Sequence, residues 1–347
     1  MKLIQPYADS HRNPSGPGDD RPTAIQIVED QQLVGKWRDG VALVTGCSPG
    51  SIGAEIARVI HITGTDVYIT VRNIDKGYEV AQSILADGRP GMIEVIQLDL
   101  TSLDGVRNAA QNILQKSKHL HLLINNAGWY PILTYGDLTN LLNRGLGMSL
   151  AYNPRRRGDS FCGHFLLFQL LKPALLASAT ESETRVINVA SVAHRLGAYD
   201  LDDLGFKYRS YDAAAAYAAS KLACVHFANE IERRYGSQGV HAFSVDPGIA
   251  ATHITKLTPE IVSMMEKSGA GPLRKTPEQG AATPTWAAVA HELEGKGGEY
   301  LEHCGETELC TVGGFLATGR GENAYNEAAE KKLWAKSLEL VDVHEDA

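Results

Sequence analysis

Tyr217 and Lys221 stand four residues apart in the segment YAASK, within an alanine-rich stretch that suits a helix. That spacing puts both side chains on one helical face. A phenol beside an ammonium is an acid–base pair. An ordinary tyrosine has a pKa of about 10, and a neighbouring positive charge favours the phenolate. Lowering the value by about 3 units corresponds to roughly 4 kcal/mol, which a desolvated charge pair can supply. Of the 13 tyrosines, only Tyr217 has a lysine at the fourth following position, although among so many one such pair also arises by chance. Ser191, at the end of an apolar run, offers a hydroxyl that could hold a substrate oxygen beside the phenol or cap a local turn.

Elements that could position these groups follow from the hydrophobic pattern. Strands are expected at 41–45, 66–71, 93–98, 121–125, 185–190 and 241–245. Helices are expected between them, at 54–62, 76–87, 103–116, 163–177 and 215–235. A short helix at 24–34 should precede them, and helices at 286–292 and 324–343 should follow. Strands alternating with helices imply βαβ units and an α/β fold, a doubly wound parallel sheet covered on both faces. Ligands of such sheets lie beyond the carboxyl ends of the strands, where the remaining motifs fall.

The first strand runs into TGCSPGSIG, 45–53, a glycine-rich turn that opens a helix. Glycines let the backbone approach an anion, and the free N–H groups of a helix start point at it. This is the chemistry of a dinucleotide phosphate site, although a lone glycine-rich turn is a weak signal. The second strand ends in Arg72, with Lys76 a turn later, where an NAD site would carry an acid for the ribose diol. A guanidinium suits a 2′-phosphate instead, so NADP(H) is the expected cofactor. Asp99, after the third strand, could accept from an adenine amino group or serve a helix start. Asn125-Asn126-Ala127-Gly128 ends the fourth strand, its small residues leaving room against a flat cofactor and its amides able to tie strand ends. Asp246-Pro247-Gly248 ends the sixth strand. There Gly248 would let the chain pass close to the nicotinamide, and Thr252 could bond its carboxamide.

Taken together, TGCSPGSIG, NNAG, the serine after a strand and YxxxK resemble the short-chain dehydrogenase/reductase family. VRNIDKG, NVASVAH, GHFLLFQLLKPALL, FANEIERRYG and EQGAAT resemble its retinol-dehydrogenase-like and WW-domain-oxidoreductase-like branch, fungal members above all. The resemblance implies that Tyr217 is the proton donor or acceptor and that Lys221 lowers its pKa and meets the nicotinamide ribose. It also implies that Ser191 positions the carbonyl or alcohol, and that Gly46, Gly50, Ile52 and Gly53 line the pyrophosphate. The implied reaction is reversible hydride transfer between NADP(H) and a ketone, aldehyde or alcohol, in a fungal setting that suits a secondary-metabolite pathway. A homo-oligomer built on the helices carrying GHFLL and YAASK is implied too. Two departures stand out. Ser51 lengthens the glycine turn by one residue. Ser160 stands where the family carries an asparagine that completes a proton relay, within an atypical insert at 129–162. Loss of that asparagine leaves a second reading, an NADP(H)-binding sensor or partner protein with little or no turnover.

The remaining features bound these readings. The 347 residues carry a formal net charge of −8 and no large basic block, which argues against a nucleic-acid partner. Five scattered cysteines show no CxxC pair and no metal-ligand spacing, so neither a disulfide framework nor a metal site is expected, and the setting reads as reduced and cytoplasmic. The most apolar run, 165–179, reads as too short for a membrane span. Residues 1–22, rich in Pro, Gly, Ser and Asp, are expected to be a disordered tail, with 23–40 leading in to one NADP-binding domain at 41–343. Residues 249–285 read as a substrate lid, and its Ile249, Ile254, Ile261, Val262, Met264 and Met265 suggest a lipophilic small-molecule substrate.

Overall fold

A computed structural model describes residues 3–128, 161–204, 208–250, 266–267, 269–312 and 317–344. Thr252, Ser160 and nearly all of the 129–162 insert lie outside the described residues, as do the lid residues 254–265.

Eight strands form one sheet. They are β1 (Val41–Thr45), β2 (Asp66–Val71), β3 (Ile93–Gln97), β4 (Leu122–Asn125), β5 (Thr184–Val189), β6 (Val240–Asp246), β9 (Tyr300–Glu302) and β10 (Gly305–Glu306). Their order is β10-β9-β6-β5-β4-β1-β2-β3, and every pair is parallel except β9 with β10. The order reverses between β1 and β4, so a crevice opens beyond the ends of these two strands. A separate parallel pair, β7 (Ile249–Ala250) with β8 (Arg274–Lys275), brackets the lid segment. Tyr300–Glu302 was not foreseen; at three residues next to Gly297 and Gly298 it offers too short a pattern to read.

The helices are α1 (Ala24–Asp30), α2 (Ile52–Ile62), α3 (Ile74–Leu85), α4 (Leu103–Lys116), α5 (Phe161–Ala179), α6 (Ala213–Tyr235), α7 (Pro277–Gly280), α8 (Ala282–Val289) and α9 (Glu327–Val341). The two faces of β1 show how the layers divide. Ala42 and Val44 point into a core shared with α1, α2, α3 and α8, while Leu43 points into one shared with α4, α5, α6 and α9. Side chains cap several helix starts: Ser51 accepts from Ala54 N, Asn73 from Lys76 N and Ser102 from Gly105 N. Ser51, the extra residue of the glycine turn, is thus the N-cap of α2.

Two expectations are corrected. Residues 3–22 are packed against the domain. Ile4 exchanges hydrogen bonds with Glu306, and the buried Arg21 guanidinium donates to the carbonyls of Gly16, Pro272, Leu273 and Arg274. Gln279 adds bonds to Gly18, Asp19 and Arg21. Composition misleads here because the anchoring is polar: one arginine saturates carbonyls that would otherwise need water. The apolar run of α5 is also longer than expected. At 19 residues it is long and apolar enough to cross a membrane, but 72% of that window is buried inside the protein.

Trp334 of α9 closes the second core. Its ring lies 5.0 Å from Phe165 and 6.0 Å from Phe227, centroid to centroid, and the Arg234 guanidinium lies 4.6 Å over it. Replacing so large a buried ring by alanine removes these contacts and leaves a cavity. Trp334→Ala should lower stability by about 3–5 kcal/mol in urea unfolding, and a loss under about 1 kcal/mol would show that α9 is peripheral.

Candidate active site

The glycine turn is built by what its glycines exclude. Gly46 has φ +78°, and a Cβ there would lie 2.8 Å from Ala127 Cα. One on Gly53 would lie 2.4 Å from Asn126 Nδ2 and 2.7 Å from Gly46 O. Gly50 also takes a positive φ, +68°. The turn therefore lies flat against the end of β4, and α2 starts beside it at the end of β1, with Ser51 taking the N–H groups of Ala54 and Glu55. Ile52, the first residue of α2, packs toward Gly280 of α7. Cys47 is enclosed beneath the turn, donating to Val44 O, and burial raises its thiol far above the usual range.

Thr45 fastens the same corner. Its hydroxyl accepts from Asn126 N at 3.0 Å and Ala127 N at 2.9 Å, and lies 2.8 Å from His164 Nε2. Burial pushes His164 down to about 3, so its ring is neutral and Nε2 can accept the hydroxyl proton. Asn126 Nδ2 donates to Thr45 O at 2.8 Å. Asn125 donates across the sheet to Asn188 Oδ1, also at 2.8 Å.

At the end of β2, Arg72 and Lys76 are exposed, and neither makes an ion pair among the described residues. Asp99 Oδ1 accepts from the N–H and hydroxyl of Thr101, while Ser102 rather than Asp99 caps α4.

Ser191 follows β5 and does two things. Its hydroxyl caps a short 3-10 turn, Val192–Leu196, through Ala193 N, and it lies near enough to the Tyr217 phenol to pull its pKa down. Tyr217 and Lys221 share a face of α6 as their spacing requires. Lys221 Nζ donates to Val189 O at 2.8 Å, sits 5.6 Å from the Tyr217 ring centroid, and would lie 3.6 Å from a Cβ on Gly128. Lys221 thus joins the β4 end, the β5 end and the tyrosine. Burial, helped by the charge of Asp246, pushes the Tyr217 phenol up to about 12 against the pull of the Ser191 hydroxyl, and burial lowers Lys221. The isolated chain therefore holds Tyr217 as a protonated acid; lysine proximity alone does not make it phenolate, contrary to the simple expectation from the pair.

Two residues outside the expected set hold Ser191 in place. His194 is fully buried, with Nδ1 2.7 Å from Ser191 O and Nε2 accepting from Gly321 N at 3.0 Å, an arrangement that puts the proton on Nδ1. Burial lowers it to about 4, so it stays neutral. Asp246 accepts from Val192 N and Gly248 N. Gly248 has φ +78°, and Lys275 fills the space where its Cβ would go.

A family model described as short chain dehydrogenase matches residues 40–261. The chain belongs to the short-chain dehydrogenase family. It is 40% identical over 342 residues to the short-chain dehydrogenase/reductase prx1 of Penicillium rubens, covering 98% of this chain and 96% of that one. It is 34% identical over 315 residues to the retinol dehydrogenase 12 of Bos taurus, covering 90% and 89%. A crystal structure of an uncharacterised Mycobacterium paratuberculosis protein superposes with a TM-score of 0.62 at 26% identity, covering 91% of this chain and 98% of that one. As a retinol-dehydrogenase-like short-chain dehydrogenase, the chain is an oxidoreductase of a family that binds NAD(P). The crevice fits such a dinucleotide: glycines clear its floor, a helix start faces it, and two uncommitted cations stand at its rim. Gly53→Ala should weaken NADPH binding by about tenfold or more, read by fluorescence titration, with the fold retained. Unchanged affinity would place the dinucleotide elsewhere.

Proposed function

We propose that this short-chain dehydrogenase is an NADP(H)-dependent enzyme interconverting a ketone or aldehyde and an alcohol on a lipophilic small molecule. The observation that carries the reading is the gathering of the Ser191 hydroxyl, the Tyr217 phenol and the Lys221 ammonium at the ends of β4 and β5, with Lys221 bonded to Val189 O and close to Gly128. A protein that only bound the dinucleotide would not need a phenol held against a serine at the mouth of the site.

When bound, the cofactor supplies or accepts hydride. The chain's own residues do the rest. Gly46, Gly50, Ile52 and Gly53 form the floor for the pyrophosphate, and Arg72 with Lys76 receives the 2′-phosphate. Asp99 stands at the adenine end. Asn126, Ala127 and Gly128 leave room for the flat part of the molecule, and Gly248 closes the far side. Thr252, two residues beyond the last described residue of β7, is proposed for the carboxamide. Lys221 holds the nicotinamide ribose. Ser191 holds the carbonyl oxygen, and the Tyr217 phenol gives that oxygen its proton as negative charge develops. Near neutral pH the phenol carries its proton, as the reduction step requires, and bringing its pKa down toward the working pH falls to the groups it meets when the site is filled. Oxidation needs the phenolate and should speed up as pH rises. Similarity to a retinol dehydrogenase supports an apolar alcohol as the substrate type, and the buried setting of α5 supports a cytoplasmic protein.

The test is NADPH consumption over aldehydes and ketones by the purified protein and its variants. Tyr217→Phe should reduce kcat by about a hundredfold or more while leaving NADPH binding within a few-fold. No turnover by wild-type protein that still binds NADPH would favour a sensor or partner protein. Arg72→Ala should raise KM for NADPH by about tenfold with little change for NADH. An unchanged NADPH/NADH ratio would overturn the cofactor preference.

A further inference from the structure

Asp246 and Glu302 are register partners on the adjacent parallel strands β6 and β9, so their carboxyl groups stand side by side, and both residues are 5% exposed. Asp246 spends its two oxygens on two different parts of the site. Oδ1 accepts from Val192 N, next to Ser191, at 3.2 Å, and Oδ2 accepts from Gly248 N at 3.0 Å. Glu302 Oε1 accepts from Gly319 N at 2.6 Å, and Oε2 receives the Tyr300 hydroxyl at 3.4 Å.

We propose that Asp246 is a positioning residue for hydride transfer, clamping the serine turn to the Gly248 loop, and that Glu302 sets the charge of the clamp. The inference rests on the NADP(H) reading above, in which the Gly248 loop meets the nicotinamide.

The chemistry of the clamp is specific to a carboxylate. Two N–H groups from different segments are each met by a separate oxygen, and a carboxylate presents acceptors at both positions. An amide of the same shape would turn a donor toward one of them. Glu302 brings a second carboxyl close to the first, and two buried like charges resist joint ionisation. The charged and titratable groups facing the pair are Lys275 from β8, Arg195 from the turn after β5, Tyr217 and Lys221 from α6 and Tyr300 from β9. Lys275 is buried against Gly248, and its ammonium has no hydrogen-bond or ion-pair partner among the described residues. Burial and the Asp246 charge push Glu302 up to about 7, so it gains its negative charge within the working pH range, beside an Asp246 carboxyl that accepts two N–H bonds.

The sign of the consequence is fixed by charge. The oxidised nicotinamide is a cation and the reduced ring is neutral. Ionising Glu302 places negative charge behind the loop that meets the ring, and so favours the oxidised form. As pH rises through about 7, the ratio of NADP+ to NADPH affinity should therefore rise.

The experiment is fluorescence titration of NADP+ and NADPH with the full chain from pH 6 to 8.5, for wild type, Glu302→Gln and Asp246→Asn, with circular dichroism on each. Wild type should show a rise in the affinity ratio of about threefold or more across this range. Glu302→Gln keeps an acceptor for Gly319 N and should show a flat ratio, close to the wild-type value at low pH. Asp246→Asn should bind both forms about tenfold more weakly with unchanged secondary structure, because one charged-group hydrogen bond is lost. A Glu302→Gln protein that keeps the wild-type slope would overturn the proposal, as would a wild type without a slope or an Asp246→Asn protein that binds like wild type. Should Asp246→Asn fail to fold, the Glu302→Gln slope alone decides. Wild-type protein that binds neither form would instead contradict the cofactor reading itself.

Discussion

The Thr45 hydroxyl is the fixed point of the site. It accepts the N–H groups of Asn126 and Ala127 and sits against the neutral ring of His164, so β1, β4 and α5 meet on one oxygen. Leaving two such N–H groups without an acceptor would cost about 1–3 kcal/mol each. Everything else at the crevice takes its position from this corner. Gly46 and Gly53 are glycines because Ala127 and Asn126 are held so close. The small residues after Asn126 bring the chain to Lys221, and Lys221 reaches Val189 at the end of β5.

Burial then sets the chemical character of each group. It drives the acids up and the bases down: Tyr217, Asp246 and Glu302 rise, while Lys221, Lys275, His164 and His194 fall. Neutral histidines serve as directional connectors at Thr45 and Gly321, where a charged ring would offer a donor in place of an acceptor. Tyr217 is held in its protonated form, the form that can donate to a developing alkoxide. Negative charge at Asp246 raises Tyr217 further, so the same carboxylate that orders the serine turn also helps to hold the phenol's proton.

Much of this was legible in the sequence, for identifiable reasons. Each of the six foreseen strands lies within one residue of its expected bounds, because apolar runs ending in Gly, Asn, Asp or Ser mark buried parallel strands clearly. Helix α2 begins two residues earlier than periodicity alone indicates, since Ser51 acts as a cap rather than as a spare turn residue. The proximity of Tyr217, Lys221 and Ser191 also followed from spacing and strand ends. What escaped were contacts of long sequence separation. Arg21 binding residues 272–274, His194 receiving Gly321 and Glu302 beside Asp246 have no local pattern to announce them. A proline- and glycine-rich stretch such as 3–22 reads as disordered unless its carbonyl-binding arginine is known to be buried.

The central claim is that hydride passes between a bound nicotinamide and a carbonyl carbon held at Ser191 and Tyr217. Its most direct test is to supply NADPH deuterated at the transferring C4 position with an apolar aldehyde and analyse the alcohol by mass spectrometry. The account predicts one deuterium on the carbinol carbon of each product molecule, transferred from a single face of the ring. Alcohol formed without deuterium from either face would contradict it.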